Sequence, residues 1–261
     1  MTFQDKIVWI TGAGSGLGKA MALLFAQQGA HLVLSGRRED RLHEVAHEAK
    51  KWKVQTLVSP CDVTDDQALQ HTIDTIIKTF GRLDIAIANA GFAVNGTVDT
   101  LSREDWERQF SVNVFSLAST AKMALPYLKK HDGRLVLIGS GAAWLHVPRS
   151  TAYCASKAAV HAIGQSISAQ LHGTKTSCTT IHPGFVESEI AQVDNDGVFD
   201  QTKIDRRPKQ LMWTSEKAAR IMLSAIAKRK RSFVFTKHAI VGVWLARFFP
   251  RIAFHLLLRF G

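Results

Sequence analysis

The chain has 261 residues and 46% of them are hydrophobic, which is enough for a large core. No Pro/Ser/Gly-rich linker divides this length, so we expect one domain rather than two. The three cysteines lack C-x-x-C spacing, which argues against a disulfide framework and against a zinc site. We therefore expect no bound metal and a reducing, cytoplasmic location.

The formal net charge of +11 invites polyanions such as nucleic acid, anionic lipid surfaces or phosphorylated ligands. The Lys and Arg residues concentrate at 228–231 and in the tail rather than spreading evenly. No recognised nucleic-acid-binding motif accompanies them, so a local basic surface is favoured over a nucleic-acid partner. Residues 1–6 lead directly into an apolar strand and lack the long apolar region of a signal peptide.

The amino-terminal segment predicts a strand at 6–10, a glycine turn, and a helix that ends near Gly29. This order opens a dinucleotide-binding βαβ unit, in which glycine lets the backbone approach a pyrophosphate at a helix N-terminus. The literal G-x-G-x-x-G pattern fails because its sixth position is Leu17. The sequence is instead T-G-x-x-x-G-x-G, for which tight packing without a ligand is the alternative interpretation.

The second predicted strand, at 31–36, ends in Arg37 and Arg38. A dinucleotide fold that prefers NAD would usually carry an acidic residue here to hold the ribose hydroxyls. Two guanidinium groups suit a 2′-phosphate instead, because the arginine fork matches phosphate geometry. The alternative is that both are solvated charges that open a helix over 39–50.

Further apolar strands are predicted at 54–58, 83–88 and 134–138, and helical patterns at 65–80, 103–130 and 151–171. Continuous apolar strands that alternate with helices predict a single-domain α/β fold, a Rossmann-type doubly wound parallel sheet with helices on both faces. Ligands bind at the carboxyl ends of such strands. We assign residues 1–236 to this dinucleotide-binding catalytic domain and residues 237–261 to an amphipathic tail.

The predicted helix over 151–171 carries Tyr153 and Lys157, which are four residues apart and therefore neighbours on one helix face. A fixed cation beside a phenol favours the phenolate and lowers the phenol pKa from about 10 toward neutrality. Tyr153 would then be a usable proton donor or acceptor at physiological pH. The alternative is an aromatic anchor beside a solvated charge.

Several short motifs appear in a fixed order along the chain. They are Thr11-Gly12-x-x-x-Gly16-x-Gly18, Asp62-Val63, Asn89-Ala90-Gly91, Asn113, Ser140, Tyr153-x-x-x-Lys157 and Pro183-Gly184. In this order and spacing, residues 5–235 resemble the short-chain dehydrogenase/reductase family. Each motif alone is weak, but together they are highly specific.

The resemblance implies a role for each of four residues. Tyr153 is then the general acid in carbonyl reduction or the base in alcohol oxidation, and Ser140 polarises the substrate oxygen. Lys157 binds the nicotinamide ribose and holds the pKa of Tyr153 down, while Asn113 keeps a water molecule in the proton relay behind Lys157. These roles agree with general acid/base chemistry and stabilisation of a developing oxyanion. Alternatives are a bridging or capping role for Asn113 and a turn role for Ser140.

The resemblance also implies the residues that contact NADP(H), which carries the hydride. They are Thr11, Gly12, Ser15, Gly16, Leu17, Gly18, Arg37, Arg38, Asp62, Val63, Asn89, Ala90, Gly91, Tyr153, Lys157, Pro183, Gly184, Val186 and Ser188. The family usually has Thr at position 188, and Ser188 keeps a hydroxyl for the carboxamide contact. For Asp62, the alternative is a helix N-cap.

The substrate pocket is expected between two apolar loops, one after Ser140 that contains Trp144 and one at 92–94. An apolar pocket favours a ketone or alcohol on a hydrophobic body, with Ser140, Trp144 and Tyr153 as substrate contacts. His146 could orient the substrate, although a surface or core histidine is the alternative. The long polar connection at 187–212, which includes Asp205-Arg206-Arg207-Pro208, predicts a mobile lid.

The tail is mostly hydrophobic, yet Arg247, Arg251, His255 and Arg259 recur at intervals of four. A spanning helix would bury these charges at about 2.5–3.5 kcal/mol for each arginine, and Pro250 would break it. A helix or hairpin in the plane of the membrane interface is favoured, with residues 228–231 adding attraction to anionic lipid. The alternative is that the tail packs on its own subunit or on a partner.

The sequence thus predicts an NADP(H)-dependent oxidoreductase that acts on a lipophilic alcohol or ketone. The alternative is a catalytically idle NADP(H)-binding regulator on the same fold. A serine hydrolase is disfavoured because the residues around Ser140 lack the G-x-S-x-G elbow. The family resemblance further implies a homodimer or homotetramer.

Overall fold

A parallel sheet of seven strands forms the centre of the molecule, in the order β3-β2-β1-β4-β5-β6-β7. The structure is a computed structural model that describes residues 3–205 and 207–260, with the backbone alone for residues 259 and 260. The strands are β1 (Ile7–Thr11), β2 (His31–Ser35), β3 (Thr56–Val58), β4 (Ile85–Ala88), β5 (Arg134–Ile138), β6 (Ser177–His182) and β7 (Ser232–Val234). The order reverses between β1 and β4, and this switch point is where such sheets bind ligands.

Helices cover both faces of the sheet. They are α1 (Gly16–Gln27), α2 (Glu39–Ala49), α3 (Asp66–Phe80), α4 (Arg103–Phe110), α5 (Ser116–Lys130), α6 (Thr151–Gln170), α7 (Ser215–Ala227), α8 (Lys237–Phe248) and α9 (Pro250–Phe260). Buried residues of α1, α2 and α7 share one core cluster with the sheet, and those of α3, α5 and α6 share another. The predicted doubly wound α/β fold is therefore confirmed.

Strand β1 contributes side chains to both core clusters. Val8 and Ile10 point into the cluster beneath α1, α2 and α7, whereas Ile7 and Trp9 point into the opposite one. All five residues of β1 are buried. A central parallel strand has no solvated face, which is why it reads as an unbroken apolar run.

The last two strands and α7 are absent from the elements predicted from sequence. Strand β6 contains Thr179, Thr180 and His182, which are all fully buried. A run with four polar residues in six, counting Ser177, does not resemble a continuous apolar strand, although this one lies inside the sheet. The helix predicted over 103–130 is also interrupted, because one π-helical turn at Ser111–Phe115 separates α4 from α5.

The tail forms two helices, and the first begins at Lys237, where the domain boundary was predicted. Phe249 has a non-helical backbone between them, and Pro250 begins α9, a position where proline is tolerated. Arg247 therefore lies on a different helix from Arg251 and His255, so the basic residues do not form one continuous stripe. The side chain of Arg259 and all of Arg206 lie outside the described residues. Within the described part of the chain, no helix is both long and apolar enough to span a bilayer.

Candidate active site

The glycine turn between β1 and α1 has a backbone conformation that favours glycine over larger residues. Gly12 and Gly16 have φ angles of +65° and +50°, in the left-handed region that favours glycine. A Cβ at Gly18 would lie 2.1 Å from the carbonyl oxygen of Gly12. The first turn of α1 carries no acidic residue. The turn thus presents a helix N-terminus, with its positive partial charge, to any bound anion.

Thr11 and Asn89 fix the turn against the start of the loop after β4. The hydroxyl of Thr11 accepts hydrogen bonds from the backbone amides of Asn89 (3.0 Å) and Ala90 (3.1 Å). The side-chain amide of Asn89 donates in return to the carbonyl oxygens of Thr11 (2.9 Å) and Gly12 (3.1 Å). Because Thr11 is buried, it shapes the wall from behind.

A cleft of about 880 Å³ runs along the carboxyl edge of the sheet. Most of the residues predicted to contact the cofactor line it: Gly12, Ser15, Gly16, Leu17, Gly18, Arg37, Arg38, Asp62, Val63, Asn89, Ala90, Gly91, Tyr153, Lys157, Pro183, Gly184, Val186 and Ser188. Ser140 lines it as well. Thr11, Asn113 and Trp144 do not line this cleft.

The two arginines after β2 are engaged by the segment at 187–212. Arg38 donates hydrogen bonds to the hydroxyl of Ser15 (3.1 Å) and to the carboxylate of Glu189 (2.5 Å). Arg37 donates to the carbonyl oxygen of Gly197 (2.8 Å). The segment therefore contacts the predicted 2′-phosphate site. Neither Glu189 nor Gly197 is assigned a role by the sequence motifs.

The same segment contacts the opposite rim of the cleft. Asn95 and Asn195 exchange hydrogen bonds of 2.9 and 3.0 Å through backbone and side-chain groups. Arg108 on α4 donates to the carbonyl oxygen of Asn195 (3.0 Å) and pairs with Asp196 at 3.2 Å. The connection predicted as a lid is thus tied to both rims of the cleft, through contacts between residues that are 87 to 160 positions apart.

Ser140 and Tyr153 meet just beyond the carboxyl end of β5. The hydroxyl oxygen of Ser140 accepts a hydrogen bond from the amide of Ala142 (3.1 Å), which leaves its proton free to donate. Burial raises the pKa of Tyr153, and the nearby hydroxyl of Ser140 opposes that rise only in part. The sequence predicted a lowered pKa. In this structure the prediction is wrong, because desolvation outweighs every stabilisation of the phenolate.

Lys157 lies one helical turn from Tyr153, and its ammonium nitrogen is 5.8 Å from the centre of the Tyr153 ring. The ammonium group is buried and donates to the carbonyl oxygen of Ile138 (3.0 Å). Burial lowers the pKa of Lys157 from 10.5 to about 8. The residue is thus beside Tyr153, as the i, i+4 spacing predicts, but its hydrogen bond is directed at the sheet.

Asn113 lies in the π-helical turn, fully buried behind the cleft. Its side chain accepts from the amide of Phe92 (3.1 Å) and donates to the carbonyl of Phe92 (3.0 Å) and to the hydroxyl of Ser156 (3.1 Å). Gln109, which the sequence reading missed, binds the same loop through Phe92 (2.9 Å) and Val94 (2.7 Å). The two amides are four residues apart, a spacing that could have signalled a shared face.

Trp144 is placed differently from the sequence prediction. Its ring packs on His161 and His182, with centroid distances of 4.4 and 4.6 Å, rather than on the wall of this cleft. His182 lies 3.3 Å from the carbonyl oxygen of Ser140 through Nδ1, and burial lowers its pKa to about 3. The imidazole is therefore neutral, and Nδ1 must be the donor because a carbonyl only accepts. Trp144 supports the Ser140 loop from behind.

Two further predicted cofactor contacts use their polar groups locally. The carboxylate of Asp62 accepts from the amide (2.9 Å) and the hydroxyl (2.8 Å) of Thr64, while the N-cap of α3 is Asp65. The hydroxyl of Ser188 donates to the carbonyl oxygen of Val186 at 3.4 Å. Arg207, also missed by the sequence reading, donates to the carbonyl oxygens of Val186 (3.1 Å) and Ser188 (3.2 Å).

The cleft fits a dinucleotide that carries phosphates. Glycines at positions 12, 16 and 18 leave room that a Cβ would fill, and the free helix N-terminus and two guanidinium groups lie on the same wall. The side chains that could handle a proton, Ser140 and Tyr153, lie on this wall too. In the described residues, no group of three or more His, Cys, Asp or Glu side chains could hold a metal ion.

Comparison with known proteins agrees with this class of α/β fold and site. The family model described as short chain dehydrogenase matches residues 6–198. An uncharacterised oxidoreductase of Staphylococcus aureus is 38% identical over 192 residues, which is 73% of this chain and 82% of that protein. An 11-beta-hydroxysteroid dehydrogenase A of Sesamum indicum is 31% identical over 257 residues, 95% of this chain and 73% of that protein.

Solved structures share the fold across nearly the whole chain. A short chain dehydrogenase/reductase of Burkholderia phymatum in complex with NAD has a TM-score of 0.84 and 26% identity, covering 95% of this chain and 93% of its own. L-Sorbose reductase of Gluconobacter frateurii, complexed with NADPH and L-sorbose, has a TM-score of 0.80 and 22% identity, covering 90% and 97%. The chain belongs to the short-chain dehydrogenase family and is an oxidoreductase of that family.

Proposed function

We propose that the protein transfers a hydride between NADP(H) and a carbonyl or secondary alcohol on a lipophilic substrate. The observation that carries this proposal is the meeting of the Ser140 and Tyr153 hydroxyl groups at the carboxyl edge of the sheet, with Lys157 one helical turn away. Ligands of doubly wound sheets bind at this edge. An idle regulator would not need these three side chains together.

In the proposed reduction, a bound nicotinamide supplies the hydride that the carbonyl carbon receives. The Ser140 hydroxyl donates a hydrogen bond to the carbonyl oxygen, and the Tyr153 hydroxyl gives its proton to that oxygen as negative charge develops. The raised pKa of Tyr153 keeps the phenol protonated at neutral pH, the state that a proton donor needs. Oxidation of the alcohol uses the same groups in reverse.

Support for NADP(H) over NAD(H) comes from Arg37 and Arg38. Both follow β2 directly after Gly36 and line the cleft where the ribose of the adenosine half would lie. An arginine fork matches the geometry of a phosphate and offers nothing specific to a free 2′-hydroxyl. Among the relatives, the Burkholderia protein is solved with NAD and the Gluconobacter protein with NADPH, so the proposal depends on these two arginines.

Support for a lipophilic substrate comes from apolar side chains that line the same cleft as Tyr153. Phe92, Val112, Ile190 and Val193 line the same cleft. An apolar wall with a few convergent polar groups is typical of a site for a hydrophobic small molecule. A relative named as a hydroxysteroid dehydrogenase, with 31% identity over 95% of this chain, is consistent with that class.

We propose the segment at 187–212 as the lid of this site. It contacts both rims through the Arg38–Glu189 pair and the Asn95–Asn195 pair, so breaking either pair would release it from that rim. Lids of this kind exclude water and often limit turnover.

Steady-state kinetics with purified protein test the proposal. NADPH and NADH are each offered with a panel of steroid, fatty-acyl, sphingoid and retinoid carbonyls, and with short polar ketones as controls. We expect turnover with at least one lipophilic carbonyl and a higher kcat/KM with NADPH than with NADH. Equal efficiency with both cofactors would remove the NADP(H) preference, and turnover of polar ketones alone would remove the substrate class.

A further inference from the structure

We infer that α8 and α9 present a surface that docks in the plane of an anionic membrane. The tail surface is defined here by its exposed apolar side chains together with Arg247 and Arg251. The apolar members are Ile240, Val241, Trp244, Phe248, Phe249, Ile252, Phe254, Leu256 and Leu258, each at least 40% exposed.

The exposure of apolar side chains is concentrated in this part of the chain. Among the described residues, nine of the fourteen exposed large hydrophobic side chains lie between residues 240 and 258. Isolated exposed apolar residues are ordinary, but contiguous groups of them indicate an interaction surface. α8 has 12 residues, which is about 18 Å of helix and shorter than the roughly 30 Å core of a bilayer. The surface therefore suits a helix pair that lies along the membrane interface.

The charge of the tail selects an anionic partner. From residue 237 onward the chain contains four Lys and Arg residues and no Asp or Glu. In the described part of the chain, neither Arg247 nor Arg251 forms a salt bridge, and both are exposed. A second copy docked through the same surface would bring like charges together, because a two-fold interface pairs a patch with itself. Anionic lipid headgroups supply the missing negative charge.

The basic cluster at residues 228–231 does not belong to the tail surface, contrary to the sequence prediction. It precedes β7 and lies at the amino-terminal edge of the parallel sheet, whereas α8 begins beyond the carboxyl edge. Arg229 is also committed to the fold, since it donates to the carbonyl oxygens of Gly133 (3.1 Å) and Lys175 (2.8 Å). Substitutions in this cluster therefore provide a control, because they change the charge of the protein without changing the tail surface.

The tail surface adjoins the loop that follows Ser140. A methyl group at Gly242 would lie 2.7 Å from the Leu145 side chain, and one at Gly141 would lie 3.7 Å from Ala239. Docking through α8 would hold that loop close to the lipid. If the function proposed above is correct, a lipophilic substrate could then pass between bilayer and cleft. This consequence rests on the proposed function, but the docking itself does not.

Vesicle flotation of the full-length protein tests the inference without any measurement of turnover. The vesicles are phosphatidylcholine with and without phosphatidylglycerol. We expect binding that requires the anionic lipid and falls at least about 10-fold in Arg247→Glu/Arg251→Glu. Ile252→Ser/Phe254→Ser should weaken vesicle binding to a similar degree. The binding that remains in this variant should be more sensitive to high salt than the binding of the wild type. The matched control, Lys228→Glu/Lys230→Glu, changes charge equally and should bind as the wild type does.

Circular dichroism and sedimentation accompany each variant, so that misfolding is recognised and a variant that unfolds is replaced by its alanine counterpart. The inference is overturned if the wild type fails to float with anionic vesicles. It is also overturned if the control pair weakens binding as much as the tail pair, since charge alone would then explain the result. Loss of oligomer mass in the tail variants, without vesicle binding by the wild type, would assign the surface to a second copy.

Discussion

The buried ammonium group of Lys157 donates a 3.0 Å hydrogen bond to the carbonyl oxygen of Ile138. Ile138 ends β5 and Lys157 lies in the second turn of α6, so this bond joins the helix that carries Tyr153 to the edge of the sheet that carries Ser140. One interaction thus fixes the relative position of the two hydroxyl groups proposed to act on substrate oxygen. Burial of a charged ammonium group with a single hydrogen bond lowers the free energy of unfolding, and the size of this effect depends on pH.

The first prediction concerns stability and pH at Lys157. Below about pH 8 the amine is protonated in both folded and unfolded states, whereas between about pH 8 and 10.5 the unfolded chain binds more protons. The free energy of unfolding should therefore rise with pH across this window, by up to about 3 kcal/mol. Lys157→Met removes this contribution. The free energy of unfolding of the wild type minus that of the variant should therefore become more positive as the pH rises.

Urea unfolding at intervals from pH 7 to pH 11 measures that difference. Lys129→Met, at an exposed position near the end of α5, serves as the control for replacing a lysine by methionine. A difference between wild type and Lys157→Met that stays constant from pH 7 to pH 11 would show that burial does not lower the pKa of Lys157.

The second prediction concerns proton transfer by Tyr153. Tyr153→Phe keeps the ring and removes the hydroxyl, so turnover should fall by about 10²- to 10⁴-fold while the Kd for NADPH changes little. Fluorescence titration of NADPH and single-turnover kinetics measure the two quantities separately. Tyr127→Phe is a matched control, because Tyr127 lies on α5 and is the other of the two tyrosines. Retained turnover in Tyr153→Phe would remove this residue from the acid/base role.

The third prediction concerns the ion pair between Arg38 and Glu189. Arg38→Ala should raise the KM for NADPH by about 10- to 100-fold, the value of a charge-assisted hydrogen bond, and leave the KM for NADH unchanged. Glu189→Gln should act in the opposite direction, because Arg38 then no longer has a carboxylate that competes with a 2′-phosphate. Parallel changes with both cofactors in either variant would place Arg38 away from the 2′ position.

The fourth prediction concerns the close approach of Gly18 to Gly12. In Gly18→Ala the new methyl group would lie 2.1 Å from a backbone oxygen, so the turn must shift. We expect a loss of about 1–3 kcal/mol in the free energy of unfolding and weaker NADPH binding. Gly36→Ala is the control from the same wall, because its methyl group would meet nothing closer than 3.6 Å. Denaturant unfolding and NADPH titration that show equal effects in both variants would contradict the steric argument.

The sequence predicted the order of β1 to β5 and the helices between them because hydrophobic periodicity is a local property. It also brought Tyr153 and Lys157 to one helix face, since four residues are about one turn. It failed at β6, where Thr179, Thr180 and His182 are buried despite their polar side chains. Residues distant in sequence bury them, as Gly164 of α6 does for Thr180 and as Trp144 and His161 do for His182, and the sequence of a single strand does not show what will pack on it.

By itself, the sequence determined the doubly wound fold, the glycine turn and the family, because these depend on residue types at fixed short spacings. The tertiary structure decided which way the pKa of Tyr153 shifts, since desolvation depends on everything packed around the ring. It also decided that Arg38 pairs with Glu189, 151 positions away, and that Trp144 packs on two histidines behind Ser140. Burial and long-range pairing depend on which distant segments of the chain pack together, and no local sequence pattern encodes that packing.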